Sequence, residues 1–302
     1  MRYATLIVGI IAIASVCIIR FYPDKVAEFV DEYFNKKEYV IAKPNKYFLD
    51  NAYSYLENYT DDVSNKKELL NYIYYVINTG SEYADGSCTK SYTNCIEDIQ
   101  EISDDQVILT AINNFVHPYN SFRTITFTYD NRGNFSMAIE HVYSKEEIAG
   151  IDYIVQSVIE KTITSTMTSQ DKIKAIHDFV IDNTEYDKLK ANNINDTTYK
   201  SNTAYGPLVQ GYGICTGYSD TMAIFLDALD IKNYKITGKE HVWNLVYING
   251  AWKHLDATWD DPVSEYNADR DMYFLVSTDE LMKLDEDDTH IFDKTIYAEA
   301  YS

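Results

Sequence analysis

Positive charge is what this sequence is shortest of: 26 Lys and Arg stand against 47 Asp and Glu, a formal net charge of −21 over 302 residues. A surface that acidic repels phosphate backbones and anionic headgroups, so no nucleic-acid partner is expected. It identifies no partner of its own, because excess carboxylate serves solubility as readily as binding. Arginine is confined to Arg2, Arg20, Arg123, Arg132 and Arg270, and Tyr, Asn and Ile are abundant, a bias that matches AT-rich coding better than any chemistry. Internal repeats and low-complexity linkers are absent. Long apolar runs are absent too, with one exception: Ala4 to Ile19, preceded by Arg2 and followed by Arg20 and Lys25. A span needs about 17–25 residues, and snorkelling flanks extend this one to a marginal fit. Its place beside a basic residue after Met1 predicts a membrane segment or export signal. An uncleaved anchor with everything beyond Arg20 outside the cell is favoured over cleavage near Ala12-Ile13-Ala14, which would give a secreted chain.

Cysteine is scarce, with four residues. C-x-x-C pairs and clustered His are lacking, so a zinc site is disfavoured and neither metal nor cofactor is expected. Cys17 falls in the apolar run. Cys88 and Cys95 bracket a polar turn-rich loop and suit a disulfide outside the cytoplasm. Cys215 has no evident partner.

What is present is an ordinary globular composition, 46% apolar and 24% charged, long enough for one large domain or two smaller ones. The chain divides into an anchor or signal (1–22), a helical region (23–100), an α/β-hairpin/α region (101–165) and a larger domain (166–302). A helix is expected from Lys25 to Lys37. Helical spacing of Tyr53, Tyr55, Leu56 and Tyr59, then of Leu69, Leu70, Ile73, Val76 and Ile77, predicts two more. Ser81–Asn94 reads as an irregular loop, and another helix runs from Asp104 or Asp105 to Phe115. Alternation over Phe122–Tyr129 and Asn134–Tyr143 around Asp130-Asn131-Arg132-Gly133 predicts a hairpin. Ser144 and Glu147 form a capping box for a helix to about Ile163. Ser169–Asn183 is helical, with His177 structural, and 187–202 is a polar loop.

Four glycines, Gly206, Gly211, Gly213 and Gly217, surround Cys215, and an apolar stripe comes after it (Tyr218, Met222, Phe225, Leu226, Leu229). Cys215 therefore falls at or just before a helix amino terminus, where the macrodipole favours a thiolate. The glycines are expected to let backbone and substrate approach the sulfur. Next come two strands, His241–Ile248 and Ala251–Thr258, around Asn249-Gly250, a strong hairpin signal. A two-residue turn pairs Ile248 with Ala251 and, counting down, Trp243 with Asp256. His241 and Asp256 then share a face as diagonal neighbours, close enough for the carboxylate to hold the imidazole. Trp243, Trp252 and Trp259 are read as walling the site or core, with Trp243 also a candidate for the cleft lining, and His254 is read as structural. Asp285-Glu286-Asp287-Asp288 lacks calcium-loop spacing and reads as a solvated run.

The blocks Gly213-Ile-Cys-Thr-Gly-Tyr-Ser219, His241-Val-Trp-Asn244 and Leu255-Asp-Ala-Thr-Trp-Asp-Asp-Pro262 resemble the three signatures of the bacterial transglutaminase-like superfamily, papain-like thiol enzymes. Met272–Glu280 resembles the segment that commonly trails those signatures. The resemblance covers roughly 168–290. It implies an α+β, papain-like transglutaminase core, in which a helix bearing Cys packs on an antiparallel sheet bearing His and Asp. A mainly helical region with a β-hairpin would precede that core. It also implies a catalytic triad of Cys215 as nucleophile, His241 as base and proton donor, and Asp256 as orienting acid. The expected chemistry is attack on an amide of a protein or peptide through a thioester, resolved by water or by an amine. The backbone N–H of Cys215 is one oxyanion donor; Gln210 and Tyr205 are side-chain candidates. The alternative is a non-catalytic scaffold on the same fold. The sequence leaves substrate specificity and oligomeric state open.

Overall fold

A computed structural model of the chain describes residue 25 and residues 39–50, 59–261, 270–285 and 288–301. The expected anchor, nearly all of the segment Lys25–Lys37 and the region around Tyr53 to Leu56 lie outside them. Among the described residues no helix is long and apolar enough to cross a membrane. Residues 1–40 and 41–302 are separate compact units, and the architecture belongs to the second.

That unit is mixed α+β. Its first sheet comprises β1 (Asp62–Val63), β2 (Tyr83–Cys88), β3 (Phe122–Tyr129) and β4 (Asn134–His141), ordered β1-β2-β4-β3. Packed with it are α1 (Lys66–Asn78), α2 (Cys95–Asp104) and α3 (Gln106–Phe115). The helix α4 (Lys145–Thr162) opens on the expected capping box of Ser144 and Glu147, and α5 (Ser169–Asn183) on one of Thr168 and Asp171. After the short β5 (Glu185–Tyr186), α6 (Lys188–Asn192) and β6 (Tyr212–Gly213) comes α7 (Cys215–Ala228). A second, antiparallel sheet is formed by β7 (Asn233–Thr237), β8 (Val242–Ile248), β9 (Ala251–Leu255) and β10 (Phe274–Val276), ordered β10-β9-β8-β7, and then comes α8 (Thr278–Leu284).

The region before α4 departs from the sequence reading in two ways. The hairpin is half of a four-stranded sheet, and Ser81–Asn94, read as an irregular loop, contains β2. Gly86 and Asp85 hide it from a propensity argument. Gly86 is required because a Cβ there would sit 2.4 Å from the Phe135 ring and 2.8 Å from that of Tyr72. A strand glycine of this kind marks close approach rather than a break. The Cys88–Cys95 disulfide joins the end of β2 to the start of α2, with the two Cα atoms 6.3 Å apart. Asp105 caps α3 as expected, accepting from the backbone N–H groups of Val107 and Ile108.

The second sheet is buried on both faces. Tyr234, Ile236, Trp243, Leu245 and Trp252 join the cluster that includes α1–α3 and the first sheet. Val246, Ile248 and Leu255 join the opposite cluster, with α4, α5 and α7. A strand covered on both sides needs a near-continuous apolar run, which Val242–Ile248 supplies around Asn244. Asn244 donates its amide to the Ser219 carbonyl of α7, at 3.0 Å. α7 is in turn buried from Gly217 to Leu226, and each fully covered Leu, Ile or Phe contributes about 1.5–3 kcal/mol. The helix α7 and the strand β8 are thus largely enclosed.

Candidate active site

Cys215 is the first residue of α7, preceded by Ile214 in an extended conformation. Asn65, Asp105, Ser144, Thr168 and Ser277 each cap a helix with a side-chain oxygen. Ile214 cannot, and no side chain caps this end. The first-turn N–H groups of a helix have no intrahelical acceptor, so those at Cys215 remain for a sulfur anion or an oxyanion.

The hairpin has the expected register: Ile248 pairs with Ala251, Tyr247 with Trp252, and the ladder continues to Asn244 and Leu255. Asn249 and Gly250, with φ of 54° and 81°, supply the left-handed turn, whose twist suits a two-residue connection. His241 lies one residue before β8 and Asp256 one residue after β9. They meet as the diagonal argument requires, His241 Nε2 lying 2.5 Å from Asp256 Oδ2. The other carboxylate oxygen accepts from the N–H groups of Thr258 and Trp259, at 2.9 and 3.2 Å. Cys215 and His241 line the same cleft, and the sulfur is among the groups that raise the His241 pKa. Burial disfavours the imidazolium, but the Asp256 charge and hydrogen bond, helped by Cys215, hold its pKa up at about 10. For Asp256 burial again acts against charge. The His241 cation and the hydrogen bonds from His241 and His290 outweigh it and keep the carboxyl well below its usual range.

A cleft of about 370 Å³ borders this group, lined by Cys215, Thr216, Ser219, His241 and Val242 on one side and by Thr110, Asn113 and Ser121 on the other. The second wall comes from α3 and the turn after it, so residues far ahead of α7 shape the approach to the sulfur. Two roomier hollows, about 610 and 720 Å³, flank Lys46 and Tyr47 and contain neither Cys215 nor His241.

The remaining candidates sit elsewhere. Gln210 Oε1 accepts from the Lys200 backbone N–H at 2.8 Å, bracing the loop. The Tyr205 ring lies under the Lys200 ammonium. Neither lines the cleft beside Cys215. Trp243, read as a wall of the site or core and as a candidate for the cleft, is 1% exposed and stacks on the His241 ring at 5.7 Å, so it backs the imidazole from the core side. Trp259 is the half-exposed aromatic, edge-on to His241 at 6.1 Å. His254 accepts from Trp243 Nε1 at 2.9 Å, and burial pushes its pKa down to about 3, which leaves it a neutral tie between strand and α8. His177 pairs with the buried Asp260 at 3.1 Å and pins α5 to the turn after Asp256.

Two observations correct the sequence reading. Of the supposedly solvated acidic run, Asp285 is buried, its side chain 2% exposed, and bonds to His290. His290, not singled out from sequence, places Nε2 2.9 Å from the same Asp256 oxygen that His241 uses. His241, Asp256 and His290 bring three ligand-type atoms within 4.8 Å, as do His177, Asp178 and Asp271. In the first trio the separations of 2.5 and 2.9 Å are those of hydrogen bonds.

The glycines around Cys215 also do something narrower than opening the sulfur to a substrate. A Cβ on Gly217 would sit 2.2 Å from the Ser201 carbonyl oxygen, and one on Gly206 would meet the Tyr212 carbonyl oxygen at 2.4 Å. Gly217 lets the loop at Ser201 lie on the first turn of α7, and Gly206 lets that loop close against Tyr212. Gly217→Ala is expected to destabilise by about 1–3 kcal/mol, the usual cost of overpacking, since a backbone carbonyl cannot swing aside. A urea midpoint unchanged from wild type would contradict this.

No curated protein matches the chain. Among solved structures, a TGase aligns at 19% identity with a TM-score of 0.37, covering 49% of this chain and 47% of its own. A candidate cysteine protease from Cytophaga hutchinsonii aligns at 16% identity and TM-score 0.29 (44% and 61%). A candidate protease from Parabacteroides distasonis aligns at 13% and 0.28 (45% and 31%). This chain therefore spans between about a third and three fifths of the structures it resembles. Residues 156–257 match the model of the transglutaminase-like superfamily core. That stretch contains α5, α7 and the His241–Asp256 hairpin, and it is a transglutaminase-like core.

Proposed function

We propose that the protein is a thiol enzyme acting outside the cytoplasm on amide bonds of proteins or peptides, with Cys215 as nucleophile, His241 as acid and base, and Asp256 as its orienting partner. The observation that carries this reading is one ring between two groups: His241 lines the same cleft as Cys215 and, at 2.5 Å, meets the buried carboxylate of Asp256. The uncapped helix end and the cleft leave that sulfur within reach of an extended polar substrate. The Cys88–Cys95 disulfide supports the extracytoplasmic setting, and attachment through the amino-terminal apolar run belongs to the same proposal.

The chemistry is set by the groups. The thiolate adds to the amide carbonyl carbon and the C=O electron pair moves to oxygen, facing the N–H groups at the start of α7. Such donors are worth roughly 2.7–4 kcal/mol each in comparable sites. The pair then reforms the carbonyl, the C–N bond breaks, and the imidazolium of His241 gives its proton to the leaving nitrogen. The resulting thioester is attacked by water or by an amine, with neutral His241 taking the proton, and the C–S bond then breaks to release the acyl product and the Cys215 thiolate. Asp256 stays ionised throughout and holds the ring.

The test uses the full-length protein and two probes. Iodoacetamide at pH 6 is expected to label Cys215 stoichiometrically and faster than a free thiol, and denaturation should abolish the difference. Labelling no faster than an ordinary thiol would leave a binding scaffold. A glutamine-bearing protein offered with a fluorescent primary amine separates the two fates of the thioester: incorporated label means transfer, deamidation or fragments mean hydrolysis.

A further inference from the structure

We propose that His290 is a positioning residue for Asp256, itself fixed by Asp285, so that the working groups form a line of five: Cys215, His241, Asp256, His290 and Asp285. The inference deepens the proposed function and rests on it.

The geometry is that of a clamp. Asp256 Oδ2 receives His241 on one side and His290 on the other, at 2.5 and 2.9 Å, while Oδ1 receives two backbone N–H groups. A carboxylate has about four such acceptor sites, so Asp256 is fully subscribed and has no second orientation to adopt. His290 is just as constrained. It is 0% exposed, and its Nδ1 lies 3.1 Å from Asp285 Oδ1, with the Thr289 hydroxyl at 3.3 Å. Asp285 stands at the end of α8, where its oxygens also accept from the N–H groups of Thr289 and His290, at 3.1 and 2.9 Å. The aromatic rings of Trp243, Trp259 and Tyr273 surround the imidazole at 4.8, 5.2 and 5.4 Å. The His290 ring therefore cannot turn without opening that cage.

The functional consequence lies in the shared oxygen. Without His290, Oδ2 loses one of two donors and a buried acceptor is left underbonded, which favours rotation of the carboxyl away from the line to His241. The imidazole then loses the partner that fixes its tautomer. A histidine that merely anchored the segment 288–301 to the sheet would affect stability and leave this geometry alone. The titratable groups facing His290 are Asp256, Asp285, His241, His254 and Tyr273.

The experiment measures the second-order rate of Cys215 alkylation by iodoacetate against pH, alongside thermal unfolding, for the full-length protein and His290→Leu. The anionic reagent is drawn to an imidazolium beside the sulfur, so the alkaline fall in rate reports His241. The Leu variant is expected to move that fall to lower pH by about one unit or more, a measurable change in His241 stabilisation. The alkylation rate near pH 10 should then fall several-fold below wild type, while the rate near pH 7 changes little. A folded Leu variant with the wild-type profile overturns the proposal. Should that variant fail to fold, His290→Gln decides. Its amide donates to one carboxylate only, so the fall should shift in the same direction by a smaller step, and a wild-type profile again overturns it. A wild-type protein whose Cys215 reacts as a free thiol overturns the parent reading and this one together; an activated wild-type thiol with unmoved variants overturns this one alone.

Discussion

His241→Ala is expected to lower amide turnover by a factor of about 10²–10⁴, the range for loss of a positioned acid and base, while leaving substrate binding largely intact. The imidazole lines the cleft together with Cys215 and bonds Asp256. The other titratable groups lining the cleft are Asp220 and Lys235, which pair with each other, and Glu240. The pH dependence has a definite sign. With the folded pKa raised to about 10, the imidazolium persists well above the ordinary value near 6.5. Iodoacetate alkylation should hold up through neutral pH and fall only as pH approaches 10. The same shift contributes stability that is complete below about 6.5, declines as the unfolded chain loses its proton first, and is gone above about 10. An alkaline fall centred near 6.5 in the wild type would mean that His241 is not held by Asp256. A His241→Ala variant with turnover within a few-fold of wild type would remove it from the mechanism.

The second large effect is structural. Asp220→Ala is expected to cost about 3–5 kcal/mol, the penalty for leaving a buried partner charge uncompensated. Asp220 lies within α7 and receives the ammonium of Lys235 from β7 and the hydroxyl of Tyr143, which itself accepts the Ala204 N–H. Lys235 and Asp220 are nearly inaccessible to water, 9% and 7% by side chain, so solvent does not replace the lost contact. For a unit of this size each kcal/mol moves the midpoint by roughly 2–4 °C, and a drop of roughly 6–20 °C in thermal unfolding should result. A paired replacement, Asp220→Leu with Lys235→Met, should recover much of it, since removing both charges strands neither. A single variant that melts within about 2 °C of wild type, under 1 kcal/mol by the same conversion, would show the pair to be solvated.

Much of the site is legible in the sequence because it rests on local rules. Asn249-Gly250 dictates a two-residue turn, the turn dictates the register, and the register brings His241 and Asp256 to one side. Ser144 and Glu147 announce α4, and Asp105 announces α3. The missed pieces share another character. Asp285 looks like one acid among four, and only contact with His290, five residues on, makes it a buried acceptor. His290 has no motif around it; its meaning comes from reaching Asp256 across 34 positions, which no local period encodes. β2 is hidden by Gly86, whose missing side chain answers to the Phe135 ring on a partner strand. For Trp243 the sequence leaves core and cleft both open, because alternation says which face a residue takes, not how deeply a neighbouring layer covers that face.

The cleft beside the sulfur has walls from opposite stretches of the chain: Thr110 and Asn113 on one side, Cys215 and His241 more than a hundred positions away on the other. The groups around the sulfur are therefore assembled by long-range closure, and a short peptide cut from around Cys215 would lack both the imidazole and the far wall.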